Sequence, residues 1–397
     1  MRIAIAKPDF GISGGFELVM SQIARHLTAV GHDLRWLNVD IPAAYRRYLP
    51  KLTGNLRNWE QAKEYFEYVA LVRACETIEA KRADLLISSQ PPSFGVFHDR
   101  HLNIFFHHAR FFYDLADVAT QAGFVKPEYH ALACKLVRGI DQPLLDSVTF
   151  FLAGSVEVQQ RLLEFNGITK NVGLFQAGLG FQNALPSENG LHEFEYPICV
   201  SRQEFTKRTE LFVAAMKHFP RRTGIVVGSG GRLGYVQRLD ARLSRPDQYP
   251  NQDPPEAMWL CNPEYEPPLT VPTEGSNVVF TGHATNDELE NHYRRALCVV
   301  APALREDYGL TAIEGMAYGK PIIACRDGGN LTRIVQDGEN GLVVDPRPEA
   351  IAEAIDLLAN DPAMARSLGE QARLTAANYT WKRALDQVDQ AIEQVVG

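Results

Sequence analysis

Short runs of apolar residues alternate with longer amphipathic stretches through the first half of the chain. The short runs predict buried parallel strands, because a strand covered on both faces carries apolar side chains at consecutive positions. They are Ile3–Ala6, Leu34–Val39, Leu85–Ser88, Asn103–Phe106 and Val148–Leu152. Apolar residues at helical spacing predict a helix over Phe16–Val30 that ends at Gly31, and a long polar helix over roughly Asn55–Ala80.

The same alternation begins again near residue 196 and predicts a second set of elements. The strands are Pro197–Val200, Gly224–Val227, Asn277–Thr281, Ala296–Ala301 and Pro321–Cys325, and the helices are Lys207–His218, Asp287–Arg295 and Leu310–Tyr318. Strands that alternate with helices are typical of doubly wound parallel sheets. The sequence therefore predicts an α/β protein with two Rossmann-like domains.

The domains are predicted to span 1–188 and 189–378, because turn-forming residues cluster around Gln182–Glu193. The segment 240–275 has eight prolines and seven acidic residues against two basic ones, and we expect an irregular insertion there. An apolar stripe at helical spacing predicts a terminal helix over 379–397. The stripe alone leaves open whether this helix packs on the second domain or returns to the first.

Charge excludes one class of function. The 397 residues include 40 Lys and Arg against 48 Asp and Glu, which gives a formal charge of −8. Residues 1–190 are balanced, so the whole acidic excess lies in the second half. Because nucleic-acid binders need clustered basic residues to neutralise phosphates, a general nucleic-acid binder is not expected.

Apolar content and cysteine spacing predict the compartment. No apolar run approaches the roughly 20 residues that span a bilayer, and the strand-like run at Met1 leaves no room for a secretory signal. The six cysteines are far apart and form no Cys-x-x-Cys pair, which favours reduced thiols. We therefore expect a cytoplasmic protein, and peripheral docking at the inner face of a membrane stays open.

Two glutamates separated by seven residues give the strongest chemical signal. Glu306 precedes the predicted helix start near Gly309 and Leu310, and Glu314 lies about one turn inside that helix. A helix start offers unpaired N–H groups and the positive end of a dipole, which suits a phosphate. Glu306 is suited to accept hydrogen bonds from sugar hydroxyls, and Glu314 from a ribose diol. Two solvated surface acids are the alternative interpretation.

Basic residues and glycines follow two strands of the second domain. Arg202 and Lys207 come after the strand that ends at Val200. Both suit a diphosphate, the arginine through its fork of N–H groups and the lysine as a point charge, although such residues are also common as solvated side chains. The loop at Gly228 has the spacing Gly-x-Gly-x-x-x-Gly, which argues against a nicotinamide site but allows the loop to border a nucleotide.

The first domain has two candidate features of its own. Gly14 and Gly15 separate the first strand from the first helix, where glycines let a ligand approach the backbone; a tight turn is the alternative. His107 and His108 follow a strand, and ligands of doubly wound sheets bind at the carboxyl ends of strands. No set of metal ligands accompanies these histidines, so no metal site is expected.

In their order along the chain, these motifs resemble those of the retaining glycosyltransferases of family 4, which have the GT-B fold. The resemblance covers most of the chain and rests on Gly14, Gly15 and Glu17, on Ser201, Arg202 and Lys207, on Val278 to Gly282, on Glu306 and Glu314, on Asp327 to Gly329, on Asp337 to Leu342, and on Asp345 with Pro346. The histidine segment from His107 to Leu115 resembles a subset of the family and favours His107 over His108 as the active-site histidine.

The resemblance implies a fold and a role for each motif. Two Rossmann-like domains should face each other across a cleft, with the acceptor side in the first domain and the donor site in the second. Arg202 and Lys207 should bind the donor diphosphate, and Glu314 the nucleotide ribose. The donor sugar should contact Glu306, His107 and the N–H groups of Tyr308, Gly309 and Leu310, and the base should lie against the main chain near His283.

The implied reaction moves a hexose from a nucleotide-diphosphate sugar, with UDP favoured over GDP, to a hydroxyl of a glycan, lipid-linked sugar or small molecule. Configuration is retained, and neither a metal ion nor a cofactor beyond the donor is expected. A nucleotide-sugar epimerase on the same fold and a catalytically silent binding subunit remain alternatives. The chain departs from the family at Ser201 to Gln203, where Gly-Arg-Leu is frequent, at Phe175 to Gly178, where a proline-glycine turn is usual, and at the insertion 240–275.

Overall fold

The chain folds into two compact units in the computed structural model, which describes residues 1–9, 14–54, 60, 62–179, 193–245 and 275–397. The first unit contains Met1–Gly180 and Thr380–Gly397, and the second contains Phe181–Tyr379. The expected linker at Gln182–Glu193 lies almost entirely outside the described residues. In the described ranges, no helix combines the length and apolar character that crossing a bilayer requires.

A parallel sheet forms the centre of the first unit. Its strands among the described residues are β1 (Arg2–Asp9), β2 (Asp33–Asp40), β3 (Leu85–Ser89), β4 (His101–Phe105), β5 (Phe150–Ala153) and β6 (Val172–Leu174). They are arranged in the order β2-β1-β3-β4-β5-β6. The strands β3 and β4 are buried at every position, which explains why apolar residues predominate in them.

Helices cover both faces of this sheet. Those described between the strands are α1 (Gly15–Ala29), α2 (Ile41–Thr53), α3 (Lys63–Glu76), α4 (Ala116–Gln121), α5 (Pro127–Asp146) and α6 (Val156–Asn166). The helix predicted over roughly Asn55–Ala80 corresponds to α3, and the sequence pattern did not predict α2. Because α2 begins after Asp40, whose carboxylate accepts the Ala43 amide at 2.8 Å, the helix has a defined start that a polarity pattern does not reveal.

A second parallel sheet forms the centre of the second unit. Its described strands are β7 (Tyr196–Val200), β8 (Gly224–Val227), β9 (Val278–Gly282), β10 (Ala296–Ala301), β11 (Ile322–Cys325) and β12 (Gly341–Val344), in the order β12-β11-β10-β7-β8-β9. The described helices are α7 (Thr209–Met216), α8 (Leu233–Leu243), α9 (Asn286–Arg295), α10 (Leu310–Ala317), α11 (Leu331–Ile334), α12 (Pro348–Asn360) and α13 (Pro362–Ala376). The prediction of two doubly wound parallel sheets is confirmed.

The terminal helix α14 (Trp381–Val396) belongs to the first unit. Trp381 donates from its indole nitrogen to the Leu179 carbonyl at 2.8 Å, and His26 of α1 meets Asp389 at 2.9 Å. The stripe on α14 buries Val388 and Ile392, which accounts for its apolar spacing.

The structure corrects two predicted elements of the second unit. The expected irregular insertion 240–275 begins inside helix α8, where Asp240 is buried and accepts a hydrogen bond from the Lys217 ammonium at 2.5 Å; residues 246–274 lie outside the described ranges. The predicted helix Lys207–His218 starts only at Thr209, because Arg208 has a left-handed backbone with φ 49°. Lys207 therefore lies on the loop before the helix.

The order of the strands fixes where a ligand site is expected in each unit. Chain connections run outward to one side from β1 through β2 and to the other side from β3, so the first sheet changes direction between β1 and β3. The second sheet changes direction between β7 and β10. At such switch points the loops after the two strands diverge and leave a crevice at the carboxyl ends.

Candidate active site

An ion pair joins the two loops at the switch point of the second sheet. The Lys207 ammonium, after β7, lies 2.5 Å from a carboxylate oxygen of Glu306, after β10. The two side chains keep 27% and 15% of their exposure, so water or a polar ligand can reach the pair. The loops also meet through the backbone, since the Leu304 amide donates to the Thr206 carbonyl at 2.8 Å.

A second ion pair involves the next residue of the loop and is closed to solvent on its cationic side. Arg208 is fully buried and binds Asp327 with two hydrogen bonds, at 2.6 and 2.8 Å. The Nε of Arg208 also donates a hydrogen bond to the Pro302 carbonyl at 2.7 Å. These bonds tie the loop after β7 to the loops after β10 and β11, so the backbone that carries Lys207 and Glu306 is held on both sides.

The loop that contains Glu306 is also held by a glycine turn. Gly329 has φ +59°, and a Cβ there would come within 2.7 Å of the Glu306 carbonyl oxygen. The Asn330 side chain donates to the Tyr308 carbonyl at 2.7 Å, and the Asn330 amide donates to the Glu306 carbonyl at 2.9 Å. The residues that precede α10 are therefore fixed before any ligand binds.

The start of α10 presents amide groups toward this loop. Its N-cap is Gly309, with φ 95°, and no side chain caps the helix. Because the first N–H groups of a helix have no intrahelical acceptor, they remain available for an anion or a sugar oxygen. The helix start predicted near Gly309 and Leu310 is confirmed.

Glu314 is buried inside α10, not solvated. It is 7% exposed and accepts a hydrogen bond from the Tyr293 hydroxyl at 3.0 Å. Burial raises the pKa of Glu314 to about 7, and the Tyr293 hydrogen bond acts in the opposite direction. Tyr293, on α9, is itself fully buried and stacks on Tyr318 at 5.6 Å between ring centroids. The surface-acid alternative is therefore wrong for Glu314.

The remaining predicted residues of the second unit lie at the carboxyl ends of neighbouring strands. Arg202 is exposed after β7, Gly228 follows β8 and His283 follows β9. Gly228 has φ +114°, its amide donates to the Gly282 carbonyl at 2.7 Å, and a Cβ would collide with the Ser201 carbonyl. The glycine-rich loop thus lets the ends of β7 and β8 approach closely, a packing role that the sequence did not distinguish from ligand binding.

The two histidines of the first unit have different surroundings. His108 is 2% exposed, stacks on Tyr113 at 4.3 Å and hydrogen-bonds the Asn166 side chain at 2.7 Å. Burial lowers the pKa of His108 to about 4, so this ring is neutral and packs as part of the core. His107 is part-exposed, and its Nδ1 bonds the His108 carbonyl at 2.7 Å. With Nδ1 as donor, Nε2 of His107 is an acceptor.

The other polar residues of the histidine segment are engaged in the fold. Arg110 binds Asp114 at 2.7 Å, and Asp114 also meets Arg161 at 3.3 Å. Tyr113 donates to the buried Asp141 at 2.9 Å. These contacts hold the loop after β4 and leave His107 as the part-exposed histidine at its start.

Gly14 and Gly15 lie where β1 gives way to α1. Gly14 is the N-cap of α1 and has an extended backbone with φ −167°. A Cβ at Gly14 would meet only Glu17, at an ordinary 3.5 Å, so the fold does not require a glycine there. Ligand approach and a tight turn both remain possible interpretations of the two glycines.

Sequence reasoning missed the contacts that support these residues. Arg208 with Asp327, and Tyr293 with Glu314, are far apart in the chain, and nothing local to either residue indicates the pairing. In the part of the chain that the structure describes, no three His, Cys, Asp or Glu side chains are grouped as a metal site.

Solved structures of other proteins share the fold of this chain. Sucrose-phosphate synthase from Thermosynechococcus elongatus aligns with a TM-score of 0.69 at 21% identity, covering 99% of this chain and 98% of that one. Anabaena HepE in complex with UDP-glucose aligns with a TM-score of 0.65 at 15% identity, covering 99% of both chains. At these identities the likeness establishes the fold alone, which is the GT-B fold of glycosyltransferases.

Sequence similarity to known proteins covers part of the chain. Residues 274–375 match the family model described as glycosyl transferases group 1. An uncharacterized glycosyltransferase of Methanocaldococcus jannaschii is 33% identical over 30% of this chain and 34% of its own length. D-inositol 3-phosphate glycosyltransferase of Streptomyces bingchenggensis is 35% identical over 36% of this chain and 32% of its own length. The chain thus spans about a third of the length of these curated relatives, and its residues 274–375 are similar to the group 1 glycosyltransferases.

Proposed function

We propose that this protein transfers a hexose from a nucleotide-diphosphate sugar to an acceptor hydroxyl with retention of configuration. The observation that carries the proposal is the Lys207–Glu306 ion pair, at 2.5 Å, beside the uncapped start of α10. A cation, a carboxylate and several amide donors lie at one switch point. Together they can bind the diphosphate, bind the sugar hydroxyls and stabilise the charge that develops between them.

The diphosphate is the leaving group, and its negative charge grows as the bond to the sugar breaks. Lys207 and Arg202 supply cations after β7, and the amides at Leu310 supply the positive end of a helix dipole. Preorganised charges of this kind stabilise the transition state without solvent reorganisation. On this proposal they take the place of a divalent metal ion.

The sugar and the ribose are assigned to the two glutamates. Glu306 and the amides of Tyr308 and Gly309 bind hydroxyls of the donor sugar, and the fixed loop keeps them in one geometry. Glu314 binds the ribose, and its Tyr293 hydrogen bond at 3.0 Å holds the carboxyl group in position. A buried acceptor beside a polar ligand is costly to leave unmatched, which favours a diol over an apolar group at this point.

The preference for a UDP-hexose rests on likeness rather than on a base-reading contact. HepE has the same fold and was solved with UDP and with UDP-glucose. The base is assigned to the main chain near His283, after β9. Some relatives are named D-inositol 3-phosphate glycosyltransferase, which supports a small molecule as acceptor beside the glycan and the lipid-linked sugar.

Retention is assigned to a transfer on a single face of the sugar. The bond from the anomeric carbon to the diphosphate breaks, and the acceptor oxygen forms its bond to the same carbon from the same side. The acceptor proton passes to an oxygen of the departing phosphate, so UDP leaves with that proton. His107, whose Nε2 is an acceptor, orients the sugar, and Gly14 with Gly15 leave the backbone of the first unit open to the substrates.

The test is the stereochemistry of the first product formed from UDP-glucose. Proton NMR follows the anomeric signal while water or an added sugar serves as acceptor, and we expect the α-configured product together with UDP. A β-configured first product would overturn retention. A new nucleotide sugar formed without any acceptor would favour the epimerase instead.

Metal independence has a separate test. Turnover of UDP-glucose is measured before and after exhaustive treatment with EDTA, and then with added Mg²⁺ or Mn²⁺. We expect the same rate in all three states, because the cations after β7 perform the metal's role. A rate that disappears with EDTA and returns with Mg²⁺ would contradict this assignment while leaving the transfer reaction intact.

A further inference from the structure

A groove runs along the outer part of the first sheet, between helix α1 and the edge strand β2. Its volume is about 830 Å³, and its lining includes Lys7, Glu17, Ser21, Arg25, Trp36 and Asn38. Sites for small ligands commonly measure roughly 300–1,000 Å³. The volume is therefore sufficient for a ligand, and the groove is distinct from the residues assigned above to the donor.

Trp36 lines this groove and is 40% exposed. Side chains alternate along a strand, so Trp36 and Asn38 project from one face of β2, while Leu37 and Val39 project from the other. Leu37 and Val39 are buried in the core cluster on that opposite face. The exposure of Trp36 is thus not a consequence of a poorly packed strand, because its neighbours on the other face are fully packed.

Polar groups surround the indole at regular positions. Strand register places Trp36 beside Ile5 and Asn38 beside Lys7 of β1, while Ser21 and Arg25 lie one turn apart on α1. Among the described residues, no hydrogen bond or ion pair engages the side chains of Lys7, Ser21, Arg25 or Asn38. An aromatic face bordered by donors and acceptors matches a sugar ring, which has an apolar C–H face and hydroxyls at its rim.

The groove leads to the switch point of the first sheet. Because α1 runs opposite to β2, the groove end at Glu17 lies by the carboxyl end of β1, close to Gly14 and Gly15. The other end lies toward Leu34, at the amino end of β2. A linear molecule in the groove would therefore place one terminus at the edge of the sheet where ligands of this fold bind.

We infer that this groove binds the acceptor as a neutral oligosaccharide, with a sugar unit stacked on Trp36. The inference rests on the proposed function, because the sugar at the Glu17 end is the one that would be extended. Lys7, Arg25 and Glu17 give the lining mixed charge, which suits a neutral chain better than a polyanion. Addition of a peptide strand to the free edge of β2 is disfavoured, because β2 carries the charged residues Asp33, Arg35 and Asp40.

The experiment labels the full-length protein with 5-fluorotryptophan and follows it by ¹⁹F NMR. The chain has four tryptophans, so the resonance of Trp36 is assigned from the Trp36→Phe variant. The probes are maltotetraose, cellotetraose and chitotetraose, each titrated in the absence of any donor. We expect at least one of them to shift the Trp36 resonance in a saturable way.

Calorimetry with the same tetrasaccharide then compares two variants. Trp36→Ala should weaken binding on the order of tenfold, the usual value of a stacked ring. Phe97→Ala removes an aromatic ring that is 66% exposed in the same unit but outside the groove, and it should bind as the parent does.

Three outcomes would overturn the inference. They are the absence of a shift with all three saccharides, equal affinity in the Trp36→Ala variant, and a Trp36 shift on raising protein concentration without sugar, which would indicate that a second copy covers the groove. Turnover of UDP-glucose by the parent protein reports on the proposed function separately. If turnover is present and the saccharides do not bind, the groove assignment alone fails.

Discussion

Two neighbouring residues, Lys207 and Arg208, each form an ion pair with the loops after β10 and β11, yet the two pairs are built differently. The Lys207 ammonium and its partner Glu306 both keep some exposure, at 27% and 15%. Arg208 has none and makes three hydrogen bonds to fixed partners, two of them to Asp327. Both members of the first pair are reachable by a ligand, whereas the cation of the second pair is buried in the protein.

The difference between the pairs shows how two neighbouring residues of one loop can have separate roles, one in ligand binding and one in stability. A guanidinium with planar, directional donors suits a permanent buried site, whereas an ammonium on a flexible stem can exchange one acceptor for another. The left-handed backbone at Arg208, with φ 49°, turns the two side chains in different directions. We therefore expect changes at Lys207 to affect turnover and changes at Arg208 to affect stability.

The largest effect should come from Lys207→Ala. Loss of a preorganised cation at the leaving group should reduce kcat on the order of 10²–10³, with a small change in the midpoint of urea unfolding. Lys382→Ala is the matched control, because it breaks an exposed pair with Asp386 at 2.9 Å. If Lys207→Ala turned over at nearly the rate of the parent, the assignment of a catalytic role to Lys207 and a structural role to Arg208 would be contradicted.

Next in size is Arg208→Met, measured by the free energy of unfolding in urea. The change leaves Asp327 and the Pro302 carbonyl without their buried partner and should cost about 3 kcal/mol, the low end for a buried pair because Asp327 is 35% exposed. Arg326→Met breaks a pair between exposed side chains, 3.2 Å from Asp345, and should cost at most about 1 kcal/mol. Equal costs for the two variants would contradict a structural role for Arg208.

The Glu314→Gln variant tests, through the pH dependence of stability, whether the buried Glu314 titrates. Burial raises the pKa of Glu314 from 4.5 to about 7, so between these values the folded protein holds a proton that the unfolded chain has lost. The free energy of unfolding contributed by this group therefore falls as pH rises through that window. The glutamine variant does not titrate and should be more stable than the parent at pH 8, by at most about 3 kcal/mol.

The same measurement at about pH 4 is the control for Glu314→Gln, since both side chains are then neutral. Asp141, whose pKa burial raises to about 7, titrates in the parent and in the variant alike, so it cancels from the difference. A stability difference between variant and parent that does not change with pH would show that Glu314 is not the titrating group.

The smallest effect should come from Tyr293→Phe. The hydroxyl donates to Glu314 at 3.0 Å, and its loss should cost about 1 kcal/mol at pH 8. The cost should diminish at pH 5, where Glu314 is protonated and less dependent on a donor. A loss of equal size at both pH values would indicate that the hydroxyl acts through the Thr311 carbonyl, 3.2 Å away, rather than through Glu314.

Much of the fold follows from the sequence because its strands are buried on both faces. The runs at Leu85, Asn103 and Ala296 are short and mostly apolar, and the strands β3, β4 and β10 appear there. The strands β6 and β12 were missed, because the three residues of β6 are only half-buried and β12 begins at Gly341 in a turn-rich stretch. A pattern method needs burial at consecutive positions, and these edge strands do not offer it.

The sequence predicted the candidate residues of the site but not the residues that hold them in place. Spacing located Glu306, Gly309 and Glu314, since a loop and the helix after it are local in sequence. The partners that hold these residues are distant: Asp327 binds Arg208 across 119 positions, and Tyr293 reaches Glu314 from another helix. Such pairings depend on strand order, which no single segment specifies.

The central claim is that the switch point of the second sheet binds the diphosphate of the donor through Lys207. Isothermal titration calorimetry of UDP and of GDP, with the parent, Lys207→Met and Lys382→Met, tests it directly. We predict that UDP binds the parent and Lys382→Met alike, and binds Lys207→Met roughly 10- to 100-fold more weakly, as the loss of a charged hydrogen bond implies. Equal affinity of all three proteins for both nucleotides, or no binding of either nucleotide to the parent, would contradict the claim.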